Sequence, residues 1–137
     1  MSCLRIVLAL VVAPAVALAG CNAEPKRVDD SGRVLLESSV TTHNVKIARQ
    51  ESDRVEGGLL RIRTLLDNKE KQNVWVDIQV VWKDAKGFKV YETNWAPLML
   101  PARYVTTHEI VSMRADVADY EYRVRGGSKT VVKNDGR

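Results

Sequence analysis

Cysteine is almost absent from this chain: Cys3 and Cys21 are the only two in 137 residues. Histidine is as scarce, with His43 and His108 in separate segments. Neither stands at a helical or hairpin-paired spacing from an acidic partner such as Asp77 or Glu109, so no metal site is expected. There is no G-x-S-x-G nucleophile motif, and Ser38-Ser39 has no base placed beside it. Asp77, Glu92 and Glu109 are scattered among basic neighbours, without a carboxylate pair to split into acid and base. These absences point away from an enzyme: no catalytic residues, metal or cofactor are expected. Charge of one sign is lacking too. Lys plus Arg number 21 against 17 Asp plus Glu, a net +4, and the basic residues are mixed with acids. A solvated surface explains that pattern, and nucleic acid is not an expected partner.

Long apolar runs are missing after the first residues. Ile6 to Ala17 is uncharged and apolar, follows Arg5, and leads into Leu18-Ala19-Gly20-Cys21. Such a run is too short to span a membrane, which takes about 20 residues. It reads instead as a secretory leader. Small residues followed at once by cysteine form the lipoprotein pattern, with cleavage before Cys21 and acylation of its thiol. Ordinary cleavage after Ala19 or Gly20, with Cys21 incidental, is the alternative. On the lipoprotein reading residues 1–20 are the signal peptide, and Cys3 leaves with them. The one remaining cysteine carries the lipid, and no disulfide is possible. Two or more acyl chains anchor stably, and Asn22 in place of Asp favours the outer membrane. Residues 21–33, polar and containing Pro25, are expected to tether the lipid to a domain at 34–126, with a flexible tail at 127–137.

What the mature chain does contain is period-2 alternation. Val74, Val76, Ile78, Val80 and Trp82 fall on one side of a strand, with Trp75, Asp77, Gln79, Val81 and Lys83 on the other. The β-branched and aromatic content suits a half-buried sheet. Asp84-Ala85-Lys86-Gly87 is a turn, with Asp bonding its own backbone and Gly supplying a positive φ. Phe88 to Tyr91 returns as the partner strand. Upstream, 34–40 and 45–48 are strand candidates and 50–58 a charged loop. Residues 60–66 read as a strand whose link through 67–72 makes a hairpin with the central strand. Downstream, Pro97 and Pro101 limit Trp95–Pro101 to an edge strand or connector. Residues 104–112 and 120–125 are further strands. About seven short strands with turn signals between them predict an all-β, immunoglobulin-like antiparallel sandwich with Trp82 in its core.

Four aromatics are candidates for a binding surface: Trp75, Tyr91, Trp95 and Tyr104. Exposed aromatics give large contact area at low entropic cost. The alternative is that they pack against the tether, the proline segment or the tail. Trp75, opposite in phase to the core face, needs a cover or a partner. His108 is expected on the polar face of its strand.

Val34-Leu-Leu-Glu-Ser-Ser-Val40, the Trp82-Lys-Asp-Ala-Lys-Gly87 turn and Trp95-Ala-Pro-Leu-Met-Leu-Pro101 together resemble the YcfL family of proteobacterial lipoproteins. The resemblance runs from about Val34 to Arg125. It implies an immunoglobulin-like sandwich, with Trp82, Asp84, Gly87, Trp95 and Pro101 at positions typical of the family, and it supplies no active site. The expected role is a non-catalytic protein-binding or scaffolding module. It would be held by Cys21 on the periplasmic face of the outer membrane, with an envelope protein as partner. A binder of small ligands or glycans, such as peptidoglycan fragments, is the alternative.

Overall fold

The computed structural model describes residues 26–27, 33–37 and 45–127. Cys21, His43, Ser38-Ser39, the leader and the tail beyond 127 lie outside the described residues, as does all of the tether before Arg33 except Lys26–Arg27.

Two sheets stack as a sandwich. The larger has the order β1–β2–β9–β5–β6, with β7 also on β5; the smaller is β3–β4–β8. The strands of the larger sheet are β1 (Lys26–Arg27), β2 (Val34–Leu36), β5 (Val74–Lys83), β6 (Lys89–Glu92), β7 (Ala96–Leu100) and β9 (Asp119–Gly126). The smaller sheet holds β3 (Val45–Arg54), β4 (Leu60–Asn68) and β8 (Val105–Val111). All pairings are antiparallel except β2 with β9, which is parallel. The all-β sandwich expected from the alternation is what the chain forms.

Each inner face is the apolar phase of its strands. Val76, Ile78, Val80 and Trp82 of β5 meet Tyr120, Tyr122 and Val124 of β9 and Val34 and Leu36 of β2, all buried. Leu60, Ile62 and Leu66 of β4 close the core from the other sheet. Trp82 is fully enclosed, its ring centroid 6.1 Å from Tyr91 and 6.4 Å from Tyr120. The turn after β5 forms as its residues require. Asp84 Oδ1 accepts from Lys86 N and Phe88 N, both at 2.9 Å, and Gly87 adopts φ +85°.

The structure corrects four local expectations. First, β4 and β5 do not form a hairpin; they lie in different sheets. The reason is Asn68, fully buried at the end of β4. Its side chain bonds both crossings at that corner instead of letting the chain fold back. Second, 50–58 is not simply a loop: β3 runs on to Arg54, paired opposite Leu60, before a short 3₁₀ turn at Glu56–Gly58. As an edge strand with little buried surface it carries no apolar alternation to announce it. Third, Lys26–Arg27, read as tether, pairs with Leu35 and Leu36 of β2. Fourth, His108 is not on a polar outer face. It shares the inner phase of β8 with Thr106 and Ile110, where its Nδ1 lies 2.9 Å from the Tyr122 hydroxyl.

Candidate functional site

The outer face of the larger sheet is built from the phase of β5 and β9 that the core does not use. Asp77 stands opposite Arg125, Gln79 opposite Arg123, Val81 opposite Glu121 and Lys83 opposite Asp119. Opposed and diagonal neighbours on one face are close enough to bond, and Asp77, Gln79, Lys83 and Glu121 each bond to one. Arg125 Nε lies 3.3 Å from Asp77 Oδ2. Arg123 reaches Gln79 Oε1 at 3.2 Å and Glu121 Oε1 at 2.7 Å, and Lys83 Nζ lies 3.3 Å from Glu121 Oε2. Asp77 and Glu121 are only 5% and 7% exposed, so their charges need these partners. Burial pushes the Glu121 carboxyl up, but Arg123 and Lys83 outweigh it and hold it below the ordinary carboxylate range.

One aromatic is thrown across this face by a bulge. Val81 pairs with Glu92 but Ile78 with Ala96, so the β6–β7 edge carries one extra residue between those rungs. Thr93 repairs the gap: its N–H donates to Val80 O and its hydroxyl accepts from Val80 N, both at 2.9 Å. Trp95, released by the bulge, lies under the Arg125 guanidinium, whose carbon is 4.1 Å from the ring centroid. That is cation–π distance, worth about 0.5–1 kcal/mol at a half-exposed site. Beside the stack, Leu35, Glu37, Trp95 and Arg123 line a groove of about 190 Å³.

Residues 32–126 match the model of a family described as protein of unknown function DUF1425. The chain belongs to the DUF1425 family. Two solved structures are similar to it. The Campylobacter jejuni protein cj0090 is 16% identical with a TM-score of 0.60, over 69% of this chain and 98% of that one. A DUF1425 member from Shewanella sp. pv-4 is 22% identical with a TM-score of 0.55, over 63% and 81%. At these identities the likeness shows the fold. No curated protein matches.

The DUF1425 domain spreads the four candidate aromatics over different surfaces. Trp95 is in the groove described above. Trp75 also points to the outer face, opposite Met99 of β7. Tyr91 lies on the other side of the sheet, beside Trp82, with its hydroxyl accepting from Met113 N at 2.6 Å. Tyr104, 61% exposed, sits on the β7–β8 crossing. Of the structural positions, Pro97 lies in edge strand β7 opposite Asp77, and Pro101 accepts an Asn68 amide bond through its carbonyl. Arg123, Arg125, Leu35 and Glu37 were not singled out from the sequence. Glu121, Arg123 and Arg125 alternate with Tyr120, Tyr122 and Val124, but the opposition of Arg123 and Arg125 to Gln79 and Asp77 depends on a strand register that alternation does not fix.

Trp75 meets its own chain at Gly127. Gly127 N donates to Trp75 O at 2.9 Å, and a Cβ on Gly127 would stand 2.8–2.9 Å from the carbonyl carbon, the oxygen and the Cβ of Trp75. Backbone atoms cannot step aside cheaply. Gly127→Ala is therefore expected to cost about 1–3 kcal/mol, read as a lower urea midpoint at unchanged slope. An unchanged midpoint would mean that residue 127 does not hold against Trp75.

Between the sheets lies a second polar group. Gln50 Nε2 donates to Thr64 Oγ1 at 2.9 Å, and the Tyr120 hydroxyl donates to Gln50 Oε1 at 3.1 Å. The His108–Tyr122 pair adjoins them, its rings edge to face at 5.8 Å. Burial lowers the His108 pKa and raises that of Tyr122, so both are neutral in the folded domain. Neutral, enclosed and mutually bonded, these groups satisfy one another's polar atoms. Among the described residues no three His, Cys, Asp or Glu side chains gather as metal ligands.

Proposed function

We propose that this DUF1425 protein is a YcfL-like lipoprotein, anchored through acylated Cys21 on the periplasmic face of the outer membrane. It acts there as a non-catalytic protein-binding module through the outer face of its larger sheet. The observation that carries the reading is the Trp95–Arg125 stack beside the groove lined by Leu35, Glu37 and Arg123. Asp77 and Glu121 are committed to holding arginines, so the face offers a partner an indole, a leucine and guanidinium edges. Indole and guanidinium are the groups most often found at binding hot spots. They suit an envelope protein that brings a carboxylate next to an apolar side chain. The lipid reading rests on Leu18-Ala19-Gly20-Cys21 and on the residues that resemble YcfL proteins.

The test uses the full chain in cells, with a photoreactive residue at Leu35. A discrete protein adduct is expected, and Trp95→Ala should remove it while leaving the protein's level unchanged. Absence of any protein adduct at Leu35 would overturn the binding role. Separately, Cys21→Ser should abolish palmitate labelling and release the protein from membranes. Labelling that persists in that variant would overturn the anchor.

A further inference from the structure

The edges of the smaller sheet differ. β3 has a register shift between Ile47 and Arg49 and carries Lys46, Arg49, Glu51, Asp53 and Arg54. Bulges and charges are how an edge is kept from pairing with other chains. The β6–β7 edge of the larger sheet is likewise interrupted, by its bulge and Pro97. β8 has neither bulge nor proline, and its single charged residue, Glu109, is bonded to Arg63. Val-Thr-Thr-His-Glu-Ile-Val pairs with β4 over seven residues without a shift, and it contains no Pro, Gly or Lys.

The direction of its free backbone groups follows from the ladder. Ser112 N donates to Leu60 O at 2.8 Å, and Asn68 N donates to Tyr104 O at 3.1 Å. Both bonds belong to the register that joins β4 and β8, so the even-numbered residues bond to β4. The N–H and C=O groups of Val105, Thr107, Glu109 and Val111 therefore point away. Among the described residues no strand pairs with that side. Val105 and Val111 are 41% and 37% exposed.

We propose that this edge joins two copies of the chain: β8 pairs antiparallel with β8 of a second copy about a two-fold axis at His108. In this register Val105 faces Val111 of the second copy, and Thr107 faces Glu109. All four outward residues of each chain find a partner, apolar opposes apolar, and no like charges meet. Glu109 keeps its bond to Arg63 Nε at 3.0 Å. His108 stays turned inward to Tyr122. Neighbouring registers fail for stated reasons. Centring on Thr107 sets Val111 against Arg103, whose φ of +53° breaks the extended backbone. Centring on Glu109 opposes two carboxylates. The result is an isologous interface that fuses two three-stranded sheets into one of six.

The full-length protein carrying both Val105→Cys and Val111→Cys, oxidised in intact membranes, tests this. Opposed residues of a hydrogen-bonded pair have Cα atoms about 5.5 Å apart, within disulfide reach. Within one chain the two positions lie about 20 Å apart along the strand and cannot join. The expected result is a covalent dimer from the double variant and none from either single variant. Thr107→Pro removes an outward N–H, which an edge tolerates, and should abolish the dimer. Thr107→Glu, facing Glu109 of the second copy, should lower its yield about tenfold, as two repulsions of about 0.7 kcal/mol each imply. No dimer, equal dimer from the single variants, an adduct with a different protein, or a yield untouched by Thr107→Glu would each overturn self-pairing.

Discussion

Trp82→Ala is expected to remove a large part of the stability of the domain. Trp82 is fully buried, and its ring lies between Tyr91 and Tyr120. Truncating a buried tryptophan loses its transfer free energy and leaves a cavity that the sheets cannot close, together about 3–5 kcal/mol. A domain of this size has about 5–15 kcal/mol in total. The cavity would open where three strands meet, since Trp82 pairs with Tyr91 of β6 and Tyr120 of β9 at once. Tyr91 would suffer in turn, because its hydroxyl holds Met113 N and its ring rests on the indole. Urea unfolding of Trp82→Ala and Trp82→Phe against the parent chain measures this. Phe should recover a large part of the loss. A cost below about 1 kcal/mol for Ala would show that the core is not organised around this ring. Trp95→Ala is the comparison, because its half-buried ring gives up chiefly the Arg125 stack.

The strands that could be read from the sequence are those whose two faces differ. β5 alternates Val, Val, Ile, Val and Trp against Asp, Gln and Lys, and it forms where the alternation places it. β9 does the same. Gly87 and Asp84 identify their turn because each supplies a local conformation that few residues can. The failures occur where the deciding contact is distant. Residues 67–72 are charged and turn-like, and such a segment serves a hairpin or a sheet-to-sheet corner equally well. Only the carbonyls gathered around Asn68 from residues thirty positions away distinguish the two. β3 shows no apolar period because its partner, β4, supplies the buried face. His108 reads as polar, yet burial and a bond to Tyr122 make it a neutral interior group. The groove has the same character. Its phase was legible in Gln79, Arg123 and Arg125, but the Trp95 bulge that completes it is a one-residue insertion against a partner strand. Nothing near Trp95 in sequence announces that offset.

Asn68 is where the second large effect is expected, and the isosteric change discriminates best. Its Nδ2 donates to Gln72 O at 2.9 Å and to Leu100 O and Pro101 O at 3.0 Å each, while Oδ1 accepts from Glu70 N at 2.9 Å. Two N–H groups serve three carbonyls, so one hydrogen is shared. Gln72 lies on the crossing from β4 to β5, and Leu100 and Pro101 lie where the chain leaves β7 for β8. One fully buried amide therefore ties both crossings between the sheets at the same corner. Arg103 N to Glu70 O, 3.0 Å, and Ala102 N to Asn73 Oδ1, 3.0 Å, run alongside. Asn68→Ala leaves Leu100 O unpaired in the interior and three part-buried groups without their bond, at about 1–3 kcal/mol for a buried group left unpaired, so a loss of about 3 kcal/mol is expected. Asn68→Asp keeps the size and the acceptor but turns the donor into an oxygen facing three carbonyl oxygens. A charge buried without a partner is costlier still, and Asp should destabilise the domain at least as much as Ala does. Chemical unfolding of the two variants orders them. If Asp were tolerated and Ala were not, the site would need only volume, and the amide would not be what turns β4 out of a hairpin and into the second sheet.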